Sequence, residues 1–233
     1  MGKRITQQAR GHAGPAFRVR GKAYIYRIGY CPLHVKGTGK IVSLINSSAH
    51  SSPLMKIKIQ DSEFYSPAAD GIFEGQEIFI DDERKVENGN ILRLKDIPIG
   101  TKVFNIELVP GKGGKIMRGS GCSAMVVTKD KNGVDILIKR RKIRLNENCR
   151  ATIGIAAGAG RVSKPRVKAG KRHHMMKAVG RKWHRTSPIK TNAVDHPFGG
   201  GRGKRIKSKI AQRNAPPGAK VGHIRPSRTG YVK

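Results

Sequence analysis

Acidic residues are scarce: 15 Asp and Glu stand against 48 Lys and Arg in a chain of 233 residues, for a formal net charge of +33. A compact domain gains nothing from that imbalance, because like charges repel and destabilise the folded state. A polyanionic partner removes the repulsion, and each phosphate neutralised also releases a condensed counterion. Cysteines are few as well. Cys31, Cys122 and Cys149 are odd in number and far apart, which excludes a disulfide framework and offers no closely spaced pair for zinc. They are expected to be small, reduced core residues of a cytosolic protein. Aromatics make up only 5%, so a core must be built from Ile, Val, Leu and Ala. The chain also lacks a run of about 18 apolar residues, a signal-peptide core and a helix with an apolar face opposite a Lys face. A membrane is therefore not the expected polyanion.

The charge is unevenly spread. Residues 1–60 hold 11 Lys and Arg and no acid, whereas residues 61–110 hold 11 of the acids and five basic residues. Residues 111–160 carry 11 basic residues and three acids, and residues 161–233 carry 21 basic residues and one acid, Asp195. The block from Asp61 to Glu107 is expected to turn away from a nucleic acid, and the two ends to meet it.

Between the ends the pattern is that of short strands. Leu54-Met-Lys-Ile-Lys-Ile59 alternates with period two, as a half-buried strand does. Ala23–Ile28, Lys40–Ile45, Glu77–Ile80, Asn90–Leu94, Lys102–Leu108, Ser123–Thr128, Asp135–Ile138 and Ala151–Ala157 are further strand candidates. Lys129-Asp-Lys-Asn-Gly133 reads as a hairpin turn. About ten short strands at regular spacing suggest two small barrels of roughly 70 residues each, dividing near Glu87–Asn90. The expected organisation is a basic arm (1–20), two barrels (21–88 and 89–160) and a basic extension (161–233). The extension is rich in Gly, Pro, Lys and Arg, buries too little apolar surface to offset its ordering entropy, and is expected to fold only against a partner. One short helical turn is expected at Met175–Val179.

Several clusters suit phosphate contact, Arg in particular because its planar fork grips oxygens bidentately. They are Lys3, Arg4, Arg10, Arg18 and Arg20 in the arm, and Lys139-Arg-Arg-Lys142 (Lys139, Arg140, Arg141, Lys142) after a strand. In the extension, Arg161, Lys164, Arg166, Lys168, Lys171, Arg172 and His173 recur every few residues, with Arg225 and Arg228 near the end. Trp183, the only tryptophan, lies among Arg181, Lys182, His184 and Arg185. That neighbourhood cannot build a core, so the ring suits stacking on a base or sugar. Asn192-Ala-Val-Asp-His-Pro-Phe-Gly-Gly-Gly-Arg-Gly-Lys204 superficially resembles a phosphate-binding loop. It fails the Walker pattern, because Phe198 stands where the first Gly belongs and Arg205 where Ser or Thr would hold magnesium. Asp195 and His196 invite a nuclease reading as the alternative, but a two-metal site needs several carboxylates and the extension has one. No catalytic residue and no metal ligand are assigned.

The run from Asn192 to Gly201 closely resembles the signature of the universal large-subunit ribosomal protein family called L-two. Ala69-Asp-Gly-Ile72, Gly119-Ser-Gly121, Asn148-Cys-Arg-Ala151, Gly158-Ala-Gly-Arg-Val162, Lys164-Pro165, Ala215-Pro-Pro-Gly-Ala-Lys-Val-Gly222 and Arg228-Thr-Gly230 agree with it, in order, over nearly the whole chain. Phe198 and the short N-terminus look archaeal or eukaryotic in type, and the compact length favours archaeal. The resemblance implies a mainly β fold, an oligonucleotide-binding-type barrel followed by an SH3-like barrel, with both tails threading large-subunit ribosomal RNA. It implies a structural, non-enzymatic constituent of the cytoplasmic large subunit, supporting subunit association, transfer-RNA binding and the architecture near the peptidyl transferase centre. Asp195 and His196 would lie towards that centre. Asn192, His196, Gly199, Gly200, Gly201, Arg202, Lys204 and Arg205 would contact RNA. Neighbouring ribosomal proteins and small-subunit RNA at the subunit interface are the other implied partners; no cofactor is implied beyond structural Mg2+ held by RNA. One stretch departs from the family: Ser187-Pro-Ile-Lys-Thr-Asn192 stands where an Arg-Gly-Val-Ala-Met-Asn-like run is usual.

Overall fold

The alternating Ile residues of Leu54–Ile59 form a strand, β2, whose Ile57 and Ile59 are buried while Lys58 faces out. In the computed structural model, which describes residues 2–81, 86–130, 133–201 and 209–224, this strand belongs to a ten-stranded sheet. The fold is mainly β. In chain order the strands of the central unit are β1 (Gly37–Ile45), β2 (Leu54–Ile59), β3 (Ser62–Pro67), β4 (Glu77–Ile80), β5 (Ile91–Arg93) and β6 (Lys102–Phe104). Then follow β7 (Ile106–Glu107), β8 (Gly114–Ile116), β9 (Ala124–Asp130), β10 (Gly133–Ile138), β11 (Arg141–Leu145) and β12 (Arg150–Ile153). The large sheet runs β11-β10-β9-β6-β12-β5-β4-β1-β2-β3, and β7 pairs with β8 separately. Neighbours are antiparallel except β4 and β5, which are parallel.

The chain divides into this central unit, Gly21–Val167, and a terminal unit made of Met1–Arg20 with Lys168–Lys233. Within the central unit the core changes hands between consecutive residues of β5. Ile91 belongs to a cluster with Ile41, Ile57, Ile78 and Ile80, whereas Leu92 belongs to one with Val103, Val126, Ile136 and Ile153. Opposite side chains of one strand thus serve two cores, as period-two geometry requires. Burying each such aliphatic side chain contributes about 1.5–3 kcal/mol.

Several sequence expectations are corrected. Ala23–Ile28 is not a strand: only Ile28 bridges to Tyr65, and Tyr24 and Ile25 lie exposed with no ladder beside them. Lys102–Leu108 is broken at Asn105, whose φ of 50° ends β6 and starts β7; Asn adopts the left-handed region more readily than other side chains do. Asn90–Leu94 is a strand only to Arg93 and then turns into a 3-10 helix at Leu94–Asp96. Ala151–Ala157 stops at Ile153 because Gly154 turns the chain at φ 110°. The hairpin at Lys129–Gly133 forms, with Asp130 opposite Gly133. Cys31 and Cys149 are buried, and Cys122 is half-buried.

The terminal unit is more ordered than its composition suggests. Its described residues include α1 (Thr6–Gly11), α2 (Ala169–Ala178) and a parallel pair of two-residue strands, β13 (Ile210–Ala211) and β14 (His223–Ile224). Helix α2 is longer than the single turn expected at Met175–Val179 and begins before it, at Ala169. Ala, Lys, Arg and Met are all good helix formers, and they outweigh Gly170. Neither α1 nor α2 buries a residue; the buried side chains here are Ile5, Ala211 and Val221.

Candidate nucleic-acid interface

The glycine-rich run folds back on the segment that precedes it. Ser187–Asn192, the stretch that departs from the family pattern, makes a 3-10 turn over Pro188–Lys190, fastened by the Thr191 hydroxyl donating to the Pro188 carbonyl at 2.6 Å. The backbone N–H of Gly200 then donates to the Thr191 carbonyl at 3.0 Å, and Asp195 N–H to the Asn192 carbonyl at 3.0 Å. Gly199 is pressed so tightly onto this turn that a Cβ there would strike the carbonyl oxygens of Thr191 and Asn192. Gly200, at φ 75°, is one of the few residue types that the turn admits.

His196 is fixed by its own loop. Its Nδ1 accepts the Phe198 N–H at 3.1 Å, and the two rings meet edge to face with centroids 5.0 Å apart. An accepting Nδ1 assigns the proton of the neutral ring to Nε2. Phe198 in turn lies over Gly222, where a Cβ would come within 2.7 Å of the ring. The N-terminal arm joins the same structure: Lys3 N–H donates to the Val194 carbonyl at 2.8 Å, and its Nζ lies 3.9 Å from Asp195. Gly2–Ile5, Ala193–Val194, His196–Pro197 and Pro217–Ala219 enclose a cavity of about 440 Å³. That residues 3 and 194 are neighbours is not legible in the chain's residue types, because backbone hydrogen bonds leave no side-chain signature.

The expected phosphate ligands are arranged as cationic displays. Lys3, Arg4, Arg10, Arg18 and Arg20 are exposed. On α2, Lys171, Arg172, His173, His174 and Lys177 share ten residues with no acid. Trp183 is half-buried, its ring stacked on His184 with centroids 4.0 Å apart, near exposed Arg181 and Lys182. Lys164, Arg166 and Lys168 are exposed, while Arg161 donates from Nε to Ser120 Oγ at 3.1 Å. Lys139 and Arg140 form the two-residue turn between β10 and β11, and Arg141 and Lys142 begin β11. All four are exposed. Arg202, Lys204, Arg205, Arg225 and Arg228 lie outside the described residues.

Not every acid of the Asp61–Glu107 block faces solvent. Glu107 is fully buried, and accepts hydrogen bonds from the backbone N–H groups of Gly111 (3.2 Å), Gly113 (3.0 Å) and Arg150 (2.9 Å). The Arg150 guanidinium, 1% exposed, donates to Glu107 at 3.3 Å and to the Cys31 carbonyl at 2.8 Å, and lies over the Tyr30 ring. The Tyr30 hydroxyl donates to the Asn105 carbonyl at 2.6 Å and so accepts from Thr152 at 2.8 Å. Burial pushes the Tyr30 phenol well above its ordinary value. With Glu107 and Arg150 buried inside the central unit, the cluster is a polar core.

Residues 87–218 match the family model described as Ribosomal Proteins L2, C-terminal domain. The chain is 42% identical to the large ribosomal subunit protein uL2 of Archaeoglobus fulgidus, over 99% of each chain. It is 40% identical to that of Methanocaldococcus jannaschii over the full length of both. This chain belongs to the ribosomal protein L2 family. It is of the archaeal type, since a third relative, the uL2 of Natronomonas pharaonis, is 41% identical over 99% of this chain and 97% of its own. The resemblance read from Asn192–Gly201 thus falls on a loop in which Gly199 and Gly200 leave no room for a Cβ.

Proposed function

We propose that this L2-family chain is a structural constituent of the large ribosomal subunit, in the cytoplasm, and that it acts by binding large-subunit ribosomal RNA rather than by catalysis. The observation that carries the reading is the match to archaeal uL2 proteins over the full length of the chain. The physical support is the cationic display on α2, the β10–β11 turn and the arm, with a net charge of +33. Each of these surfaces would neutralise phosphates, Trp183 would stack on a base or sugar, and the signature loop would position RNA near the peptidyl transferase centre. The finer roles in subunit association and transfer-RNA binding, through small-subunit RNA and neighbouring ribosomal proteins, follow from the same reading. Residues 21–88 and 89–160 form the two barrels in this proposal, supported by the change of core between Ile91 and Leu92 and by the start of the family match at residue 87.

A nuclease has no support in the site. Asp195 is engaged by Lys3, and the described residues contain no group of three His, Cys, Asp or Glu side chains able to hold a metal ion. The test is cosedimentation with large subunits in high salt, followed by footprinting of the RNA. Stable association with protections at defined nucleotides is expected; a freely exchanging protein with intrinsic RNA cleavage would overturn the proposal.

A further inference from the structure

The central unit carries a groove that the charge map and the family signature leave unused. It encloses about 630 Å³, within the range of small-ligand sites, and none of its ten lining residues is acidic. Tyr24, Tyr26 and His50 supply its rings, and Arg27, Lys115 and Arg118 its positive charge.

The groove is held in shape from beneath. Ala23 is buried, and its carbonyl accepts from the Ala49 N–H at 3.2 Å and from the Ser47 hydroxyl at 3.4 Å, which fastens one wall to the other. Ser47 also pairs with His50 Nδ1 at 2.7 Å, so the imidazole is oriented before anything binds. Tyr24 packs at 83° against that imidazole, centroids 4.9 Å apart, yet remains 48% exposed. Tyr26 is braced by Tyr65, centroids 4.9 Å apart. Arg118 is positioned by donating from Nη1 to the Gly114 carbonyl at 3.2 Å. This irregular segment was expected to be a strand; had it been one, Tyr24 would have had a neighbour on a ladder instead of an open ring.

We infer that this groove is a binding site for a single unstacked nucleotide of RNA, its base stacked on Tyr24 and its phosphates on Arg27, Lys115 and Arg118. Stacking platforms with adjoining cations recognise single strands, because every base has a π-face and every linkage a charge. A duplex hides its bases and can use only the cations. Burial, followed by the Arg118 charge, lowers the His50 pKa, which keeps the ring a neutral brace for Tyr24 rather than a further cation. The inference rests on the RNA-binding role proposed above and names one nucleotide pocket within it.

The test uses the full-length chain and a single-stranded RNA octamer containing 2-aminopurine, whose fluorescence is quenched when it stacks. Excess abasic oligonucleotide occupies sites that recognise phosphate alone. Tyr24→Leu, which retains an apolar side chain but no ring, is expected to weaken octamer binding about 10- to 100-fold and to abolish the quench. Tyr24→Phe is expected to bind within about twofold of wild type, since stacking does not need the hydroxyl. Binding of a short RNA duplex, and its salt slope, should be unchanged in both variants because no charge is altered. Wild-type binding of the octamer by Tyr24→Leu would overturn the inference while leaving RNA binding intact. Failure of the wild type to bind either RNA would overturn the broader function as well.

Discussion

Replacing Glu107 by Ala removes a carboxylate that satisfies four donors: three backbone N–H groups and the Arg150 guanidinium. The Gly111 N–H can recover water, because that residue is exposed. The Arg150 charge cannot, since its side chain is 1% exposed and is left with only the Cys31 contacts and the Tyr30 face. Breaking a buried ion pair from one side costs about 3–5 kcal/mol, against a typical domain stability of about 5–15 kcal/mol. The variant should therefore unfold at a much lower urea concentration. Arg150→Met should do comparable harm by leaving Glu107 buried without its cation. The combination of Glu107→Ala with Arg150→Met should cost less than the sum of the two lone replacements, because neither charge is then left buried without its partner. Urea unfolding of the full-length chain followed by circular dichroism gives the cycle, provided the slope with denaturant is unchanged. A Glu107→Ala cost below about 1 kcal/mol, or strict additivity in the cycle, would refute the account of this cluster as a mutually dependent polar core.

Four other outcomes are expected. The Arg144 guanidinium, with help from the Thr128 hydroxyl, holds the Asp135 carboxyl down to about 2. A carboxyl depressed in the folded state stabilises above its unfolded pKa and loses that contribution as pH falls through the folded value, so melting temperature should drop between about pH 4 and pH 2, less steeply in Asp135→Asn. Deleting residues 161–233 should markedly reduce the salt dependence of binding to a ribosomal RNA fragment; an unchanged slope would place the electrostatics on the central unit. Gly199→Ala should impair incorporation into reconstituted large subunits through collision with the Thr191 and Asn192 carbonyls, whereas Gly170→Ala in the open face of α2 should be neutral or stabilise the helix by about 0.5–1 kcal/mol. His196→Ala should lower assembly or peptide-transfer activity without shifting the pH profile, with partial rescue by His196→Gln, whose carbonyl can still accept from Phe198; loss of an ionisation near about 6.5 would instead make His196 a chemical participant.

Strands were legible in the sequence where alternation reported a buried face, as in Leu54–Ile59 and Glu77–Ile80. Ser62–Pro67 escaped because two of its three buried positions are polar or proline: Ser66 hydrogen-bonds Asn105 and Pro67 closes the strand. Arg141–Leu145 escaped because an end strand with exposed cations has no burial pattern to read. The burial of Glu107 was hidden for a different reason. A window of sequence shows its charge but not the arginine 43 residues away that holds it. The signature loop was legible as a motif through its glycines and His196, yet its dependence on the arm was not. Helix α2 shows the limit of composition: without an apolar face, only a short turn at Met175–Val179 was legible, while the residues before it also favour a helix.

The position of β11 at one end of the strand order has a consequence for the chain before it meets RNA. An end strand is a template on which a second copy can add its own, and long-lived stores of free protein are at risk of growing into fibres by that route. Here Arg141 and Lys142 are exposed on that strand, whereas Arg144 is paired with Asp130 and Asp135, so a second copy approaching with the same strand would bring the first two cations against their own kind. Like charges set along an edge strand disfavour the addition of a further copy. A polyanion paired with these cations would cancel the repulsion and cover the edge at the same time.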